Sequence, residues 1–187
     1  MIGTGFIGSI LGGAMARAGN HVTYGSRHPD DTDVAEGIEV ASIGDVIATS
    51  DVVVLAVPGA AVAELVAEYA DALTGKLVID ATNRMGESVS NSRAELPSDI
   101  QYARAFNTLG GEVMADPQFA DGPADMFFSA AGEDRATVAK LIEDVGLRPI
   151  YLGEDRQDLV DALFRVWIAL AMQPGHGREF AFRVIDR

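Results

Sequence analysis

The chain predicts an α/β fold: a doubly wound parallel sheet followed by a short helical appendage at the C-terminal end. Three observations predict it. Strand-like and helix-like stretches alternate from the first residues. The glycine pattern Gly3-Thr4-Gly5-Phe6-Ile7-Gly8 opens an amphipathic helix, and a further strand follows shortly after it. The run Asp51 to Pro58 is continuous, apolar and β-branched, the pattern of a strand covered on both faces. Together these make the architecture Rossmann-type, with residues 1–153 as the dinucleotide-binding domain and residues 154–187 as a helical segment.

In chain order, Ile7, Ile10, Leu11, Ala14, Met15 and Ala18 share one helix face, and Gly19 follows where a C-terminal cap glycine belongs. Only Met1 and Ile2 precede the glycine pattern. Either the central strand is a stub, or the encoded chain starts upstream of Met1 with a few more apolar β-branched residues. His21 to Arg27 reads as a strand running into a turn, and Glu36 to Ser42 as another, ahead of a helix from Ile43. Val62, Leu65, Val66, Tyr69 and Leu73 mark a helix stopped at Gly75, and Lys76 to Asn83 is the next strand. Further strands are expected in 101–108, 125–134 and 147–153, with a helix carrying Val138, Leu141, Ile142 and Val145 before the last. Leu159, Leu163, Val166, Trp167 and Leu170 place one face on a final long helix, and residues 178–185 are read as a short terminal helix.

Composition narrows the function classes. Twenty-eight acidic residues against 14 basic ones give a net charge of −14, which argues against nucleic acid or an anionic membrane as partner. Lys76 and Lys140 are the only lysines, a bias that fits a salt-accumulating organism or simply a GC-rich genome. Without cysteine there are no disulfides or thiolate metal sites, and His21, His28 and His176 are scattered, so no metal site is expected. No stretch reads as a membrane span or signal peptide, and a cytoplasmic location is expected.

The chemistry is expected in the loops at the carboxyl ends of the strands. Gly3 permits a tight turn, Gly5 lets backbone approach a pyrophosphate, and Gly8 allows close packing of helix on strand, with the amides of Thr4, Phe6 and Ile7 facing the phosphates. At the end of the second strand, where an NAD enzyme commonly carries an acidic residue, this chain has Ser26 and Arg27. A hydroxyl and a guanidinium suit a 2′-phosphate, so the cofactor is expected to be NADP. Ala56, Val57 and Pro58 are placed to pack on the adenosine or ribose side, and Thr82 and Asn83 to lie nearer the nicotinamide. Asp80 is read as a hydrogen-bonded structural carboxylate before a catalytic acid.

The stretches 3–27, 51–58, 105–117 and 146–153 together resemble the NADP oxidoreductases that act on the deazaflavin coenzyme F420, and the related reductase domain of the Steap metalloreductases. The most specific parts are the Gly-Ser-Arg turn and Phe106-Asn107-Thr108. The resemblance implies that Thr4, Gly5, Phe6 and Ile7 hold the pyrophosphate and that Ser26 and Arg27 hold the adenosine phosphate. Members often carry a lysine after the Ser-Arg pair where this chain has Asp30 and Asp31, and Asn107 stands where the best-known members have a histidine. Coenzyme F420 is the implied second substrate, with a flavin or ferric acceptor as the other options. On this reading Asn107 and Thr108 position the two rings, with Leu109 and Gly110 continuing the floor, residues 154–187 close the cleft, and the helix of Trp167 forms a homodimer interface. Two rival readings stay open. An imino-acid or hydroxy-acid dehydrogenase would need a large helical domain, often with a catalytic lysine, where about 30 residues without lysine follow Glu154. An NADP-sensing module would bind without turnover.

Overall fold

The computed structural model describes residues 1–32, 34, 38–87 and 90–185. Among the described residues nine strands and six α-helices follow one another: α1 (Phe6–Arg17), β1 (Thr23–Ser26), β2 (Glu39–Ser42), α2 (Ile43–Thr49), β3 (Val52–Leu55), α3 (Val62–Leu73), β4 (Leu77–Asp80), β5 (Gln101–Arg104), α4 (Gly111–Ala115), β6 (Gln118–Phe119), β7 (Gly122–Pro123), β8 (Asp125–Ala130), α5 (Arg135–Asp144), β9 (Arg148–Tyr151) and α6 (Gln157–Ala171). The stops expected from glycine hold at α1, α3 and α5, where Gly19, Gly75 and Gly146 have φ of 94°, 73° and 91°.

β1 and β2 run parallel, as do β3, β4 and β5, and Ile2 bridges Gly25 and Leu55 between the two groups. In this sequence the central strand is represented by the stub Met1–Ile2. Met1 O accepts from Gly25 N, Ile2 N donates to Val54 O, and Ala56 N donates to Ile2 O, each at 2.8 Å. Ile2 is fully buried. Strand order reverses across this stub, which is the topological switch point where such sheets take ligands at their carboxyl ends.

The sheet departs from the expected all-parallel form at one place. β8 pairs antiparallel to β5, with Ala103 opposite Ala130 and Arg104 opposite Ser129, and β9 then runs parallel to β8. A parallel return needs a crossover the length of the sheet. The β5 to β8 link contains the five-residue α4, about 7.5 Å long at 1.5 Å per residue, and the β6–β7 hairpin.

Two apolar layers enclose the sheet. Leu11 and Met15 of α1 join Val138 and Ile142 of α5 in one, and Val46 and Ile47 of α2 join Val62, Leu65, Val66 and Leu73 of α3 in the other. α6 keeps Trp167 of the expected stripe buried and corrects the rest: it also buries Val160, Asp161 and Phe164, whereas Val166 is 50% exposed. The expected helix over 178–185 is absent from those residues. That segment is held outside the helix repeat instead, by Val184 N donating to Asp125 Oδ2 at 2.6 Å and by Arg148 donating to Val184 O at 2.5 Å.

Candidate functional site

The glycine loop follows the stub directly. Gly3 has φ of 110°, and a Cβ there would lie 2.4 Å from Ala56 O. A Cβ on Gly8 would lie 2.1 Å from Gly3 O, so the first turn of α1 sits hard against the loop. Gly5 differs: it is exposed, and no atom comes within 4 Å of its Cβ position. Gly5 is the N-cap of α1 with no side-chain cap, and the first turn carries no carboxylate. The positive helix end therefore faces open space beside a residue with no side chain. Tyr24 of β1 fixes this turn, donating from its hydroxyl to Gly8 O at 2.9 Å across Gly12. Burial pushes the Tyr24 phenol above its ordinary pKa, which keeps it a donor.

Ser26 ends β1, half-buried, and Arg27 stands exposed beyond it. Among the described residues Arg27 has no hydrogen-bond or ion-pair partner. Asp30 and Asp31 are exposed in the same turn, while Asp33 lies outside the described residues. Ala56, Val57 and Pro58 leave β3 beside Gly3, the first two half-buried and Pro58 exposed. Gly59 then abuts Asn83 and Arg84, which brings the loops after β3 and β4 together.

Beneath these loops lies a charged network that sequence reasoning did not find. Arg104, on β5, is completely buried. It pairs with Asp80 at 3.3 Å and Asp161 of α6 at 3.0 Å, donates to Thr82 O, and reaches Asn83 Oδ1 at 3.0 Å. Asp80 also accepts from Thr82 N, Thr82 Oγ1, Ser92 N and Tyr102 Oη at 2.7–2.9 Å, the environment of a structural carboxylate. Asp161 accepts from Ser90 N, Asn91 N and Asn91 Nδ2. An arginine within the strand sequence Gln101-Tyr102-Ala103-Arg104-Ala105 and an aspartate amid the apolar residues of α6 were the available signals.

Asn107 and Thr108 meet this network from above. Asn107 Nδ2 donates to Thr82 O at 3.0 Å, and its Oδ1 is buried with no partner among the described residues. Phe106, just before it, has φ of 68°, a left-handed conformation that costs a non-glycine residue about 1–3 kcal/mol. Thr108 points its hydroxyl at Met126 Sδ, 3.6 Å away. Both residues are fully buried, as are Thr82, Leu109 and Gly110 within a few per cent. The tail covers this stretch: Arg178 O and Trp167 lie within 3.2 Å of the Gly110 Cβ position, Arg178 pairs with Glu112 at 3.1 Å, and the Phe180 ring stacks on Trp167 at 5.6 Å. A separate cavity of about 690 Å³, lined by Met1, Met15, Thr23, Val52 and Lys140, lies where β1 and β3 pass below the stub and includes no glycine-loop residue.

The exposed Gly5, Phe6, Arg27 and Pro58 thus form an edge at the carboxyl ends of the strands, with Thr82, Asn107 and the buried network behind it. Sheets of this type take dinucleotides at this edge. Residues 1–84 match the family described as NADP oxidoreductase, coenzyme F420-dependent. The N-terminal part of the chain is thus similar to that of NADP-dependent oxidoreductases. A solved structure of a candidate F420-dependent NADP reductase from Arthrobacter sp. FB24 is 27% identical, with a TM-score of 0.78 over 99% of this chain and 97% of that one. An imine reductase from Streptomyces aurantiacus shares the fold at 19% identity and a TM-score of 0.72, covering 91% of this chain and 61% of the longer enzyme. Pyrroline carboxylate reductase from Plasmodium falciparum, solved with NADP bound, does so at 14% identity and a TM-score of 0.61, over 90% and 62%. No helix among the described residues is long and apolar enough to cross a membrane.

Proposed function

We propose that this chain transfers hydride between NADP(H) and a second redox group, coenzyme F420 or a similar flavin or ferric acceptor, by apposing the two without an essential general base. The observation that carries the reading is the unpartnered Arg27 beside Ser26, on the same strand-end edge as the open Gly5. NADP fits these residues. The amides of Thr4 to Ile7 receive the pyrophosphate, Ser26 and Arg27 the 2′-phosphate, and Ala56 to Pro58 the adenosine side. When bound, the reduced cofactor supplies the hydride. Thr82 and Asn83 line the nicotinamide end, and the stretch Asn107 to Gly110 forms the floor through its backbone and its packing, since its side chains are buried. Asp80, Arg104 and Asp161 are committed to one another, which leaves them to hold geometry and not to shuttle protons. Residues 154–187 close the cleft and α6 pairs two subunits in a cytoplasmic homodimer.

Two measurements test this. Calorimetry should give tighter binding of NADPH than of NADH, and equal affinities would overturn the cofactor assignment. Stopped-flow absorbance of NADPH against oxidised deazaflavin, flavin and ferric chelate, and of NADP against reduced deazaflavin, should show turnover with one of them, whereas tight NADPH binding with turnover on none would favour a sensing module.

A further inference from the structure

The turn after β1 carries a hydroxyl beyond the Ser-Arg pair. Ser26 Oγ accepts from His28 N at 3.0 Å and lies 2.7 Å from Thr32 Oγ1. Thr32 Oγ1 in turn donates to His28 O at 2.7 Å. A threonine has one hydroxyl proton. With that proton on His28 O, the contact between the two hydroxyls is donated by Ser26, whose proton therefore points into the turn. In this arrangement Ser26 has nothing to offer a phosphate.

We propose that Thr32 is a specificity-determining residue for a phosphomonoester at the 2′-position of the adenosine ribose, acting as a relay that turns the Ser26 proton outward. The inference rests on the NADP reading of the site. As a phosphate oxygen reaches the turn, Thr32 rotates its proton from His28 O to Ser26 Oγ, and Ser26 rotates its own proton to the phosphate. No covalent bond changes, and the number of hydrogen bonds is preserved. His28 O keeps a donor, because Asp31 N lies 3.2 Å from it. Ser26 Oγ then accepts from both His28 N and Thr32, and a hydroxyl that accepts two hydrogen bonds is polarised into a better donor. The relay is neutral, which matters in a turn where Asp30 and Asp31 are exposed and Arg27 is the nearby cation. A ribose with a free 2′-hydroxyl brings its own proton and gains little from an outward-facing donor.

The test compares the wild type with Thr32→Val, Thr32→Ser and Arg27→Ala by calorimetry with NADPH, NADH and adenosine 2′,5′-bisphosphate. Thr32→Val is expected to weaken NADPH and the bisphosphate about three- to tenfold, the loss of one neutral hydrogen bond, and to leave NADH within about twofold. Thr32→Ser should return the affinities to the wild-type level, and Arg27→Ala should cost about ten- to a hundredfold for NADPH. An unchanged NADPH to NADH ratio in Thr32→Val overturns the relay. So does an equal loss of both cofactors, or a serine variant that behaves like the valine one. If the wild type shows no preference for NADPH, the cofactor reading itself fails and the relay with it. A preference that Thr32→Val leaves undiminished removes the relay alone.

Discussion

Gly3 and Gly5 stand two residues apart in one loop, and the same substitution should fail at them for opposite reasons. At Gly3, φ of 110° and a carbonyl 2.4 Å from the Cβ position leave alanine no place. Gly3→Ala is expected to destabilise the fold by at least about 2–3 kcal/mol, read as a shift of the urea midpoint. Gly5 has φ of −73° and open space around its Cβ position. Gly5→Ala should melt within about 0.5 kcal/mol of the wild type yet bind NADPH markedly more weakly, because the methyl group occupies the approach to the helix amides. A Gly5→Ala variant with native affinity would move the pyrophosphate elsewhere. The tight turn at Gly3 was legible as spacing. The left-handed Phe106 was not, because nothing in a phenylalanine marks positive φ; its neighbours Thr82 and Asn107 are fastened to each other across 25 residues of sequence.

Among the elements, α6 does work that its leucines conceal. The sequence pattern put a Leu159, Leu163, Val166, Trp167 and Leu170 stripe inward; Trp167 is buried, but the helix is turned so that Val166 is exposed and Asp161 reaches Arg104 and the backbone of 90–91. Amphipathic periodicity marks a broad apolar arc, and within such an arc one buried ion pair decides which residues face in. Strands were legible where β-branched runs were continuous. The turn of β8 against β5 was not, since pairing direction depends on how the intervening chain returns. Asp161→Ala would leave Arg104 one carboxylate short and strip three donors of their acceptor, so a loss of about 3–5 kcal/mol is expected in urea unfolding. At the start of α5, burial first and the neighbouring Glu133 second push the Asp134 carboxyl above its ordinary value of 3.8. Between the ordinary and the raised value the folded chain holds more protons than the unfolded one. The stability contribution is therefore present below that window, declines as pH rises through it, and is constant above. Asp134→Asn should abolish this decline, seen as a rising difference in melting temperature between variant and wild type as pH increases from the acid side.

On the scale of the whole molecule, a net charge of −14 confronts a cofactor that is itself a polyanion. The Debye length falls from about 30 Å at 0.01 M salt to about 3 Å at 1 M, so the long-range acidic field is screened well before a close Arg27 contact is lost. NADPH affinity should therefore rise with potassium chloride before it falls. Fluorescence titration checks this, with melting followed in parallel; a steady loss from the lowest salt upward, in folded protein, would defeat the repulsion argument. The stub at the switch point has a mechanical side. Met1 and Ile2 are the stitching between the β1–β2 half of the sheet and the half that begins with β3, through bonds to Thr23, Gly25, Val54 and Ala56. A dinucleotide held at Ser26 and Arg27 on one side and beside Thr82 and Asn83 on the other would lie across that seam like a suture. Pulling the halves apart would then mean tearing out the ligand, so cofactor affinity and the cohesion of the sheet would be one quantity measured from two ends.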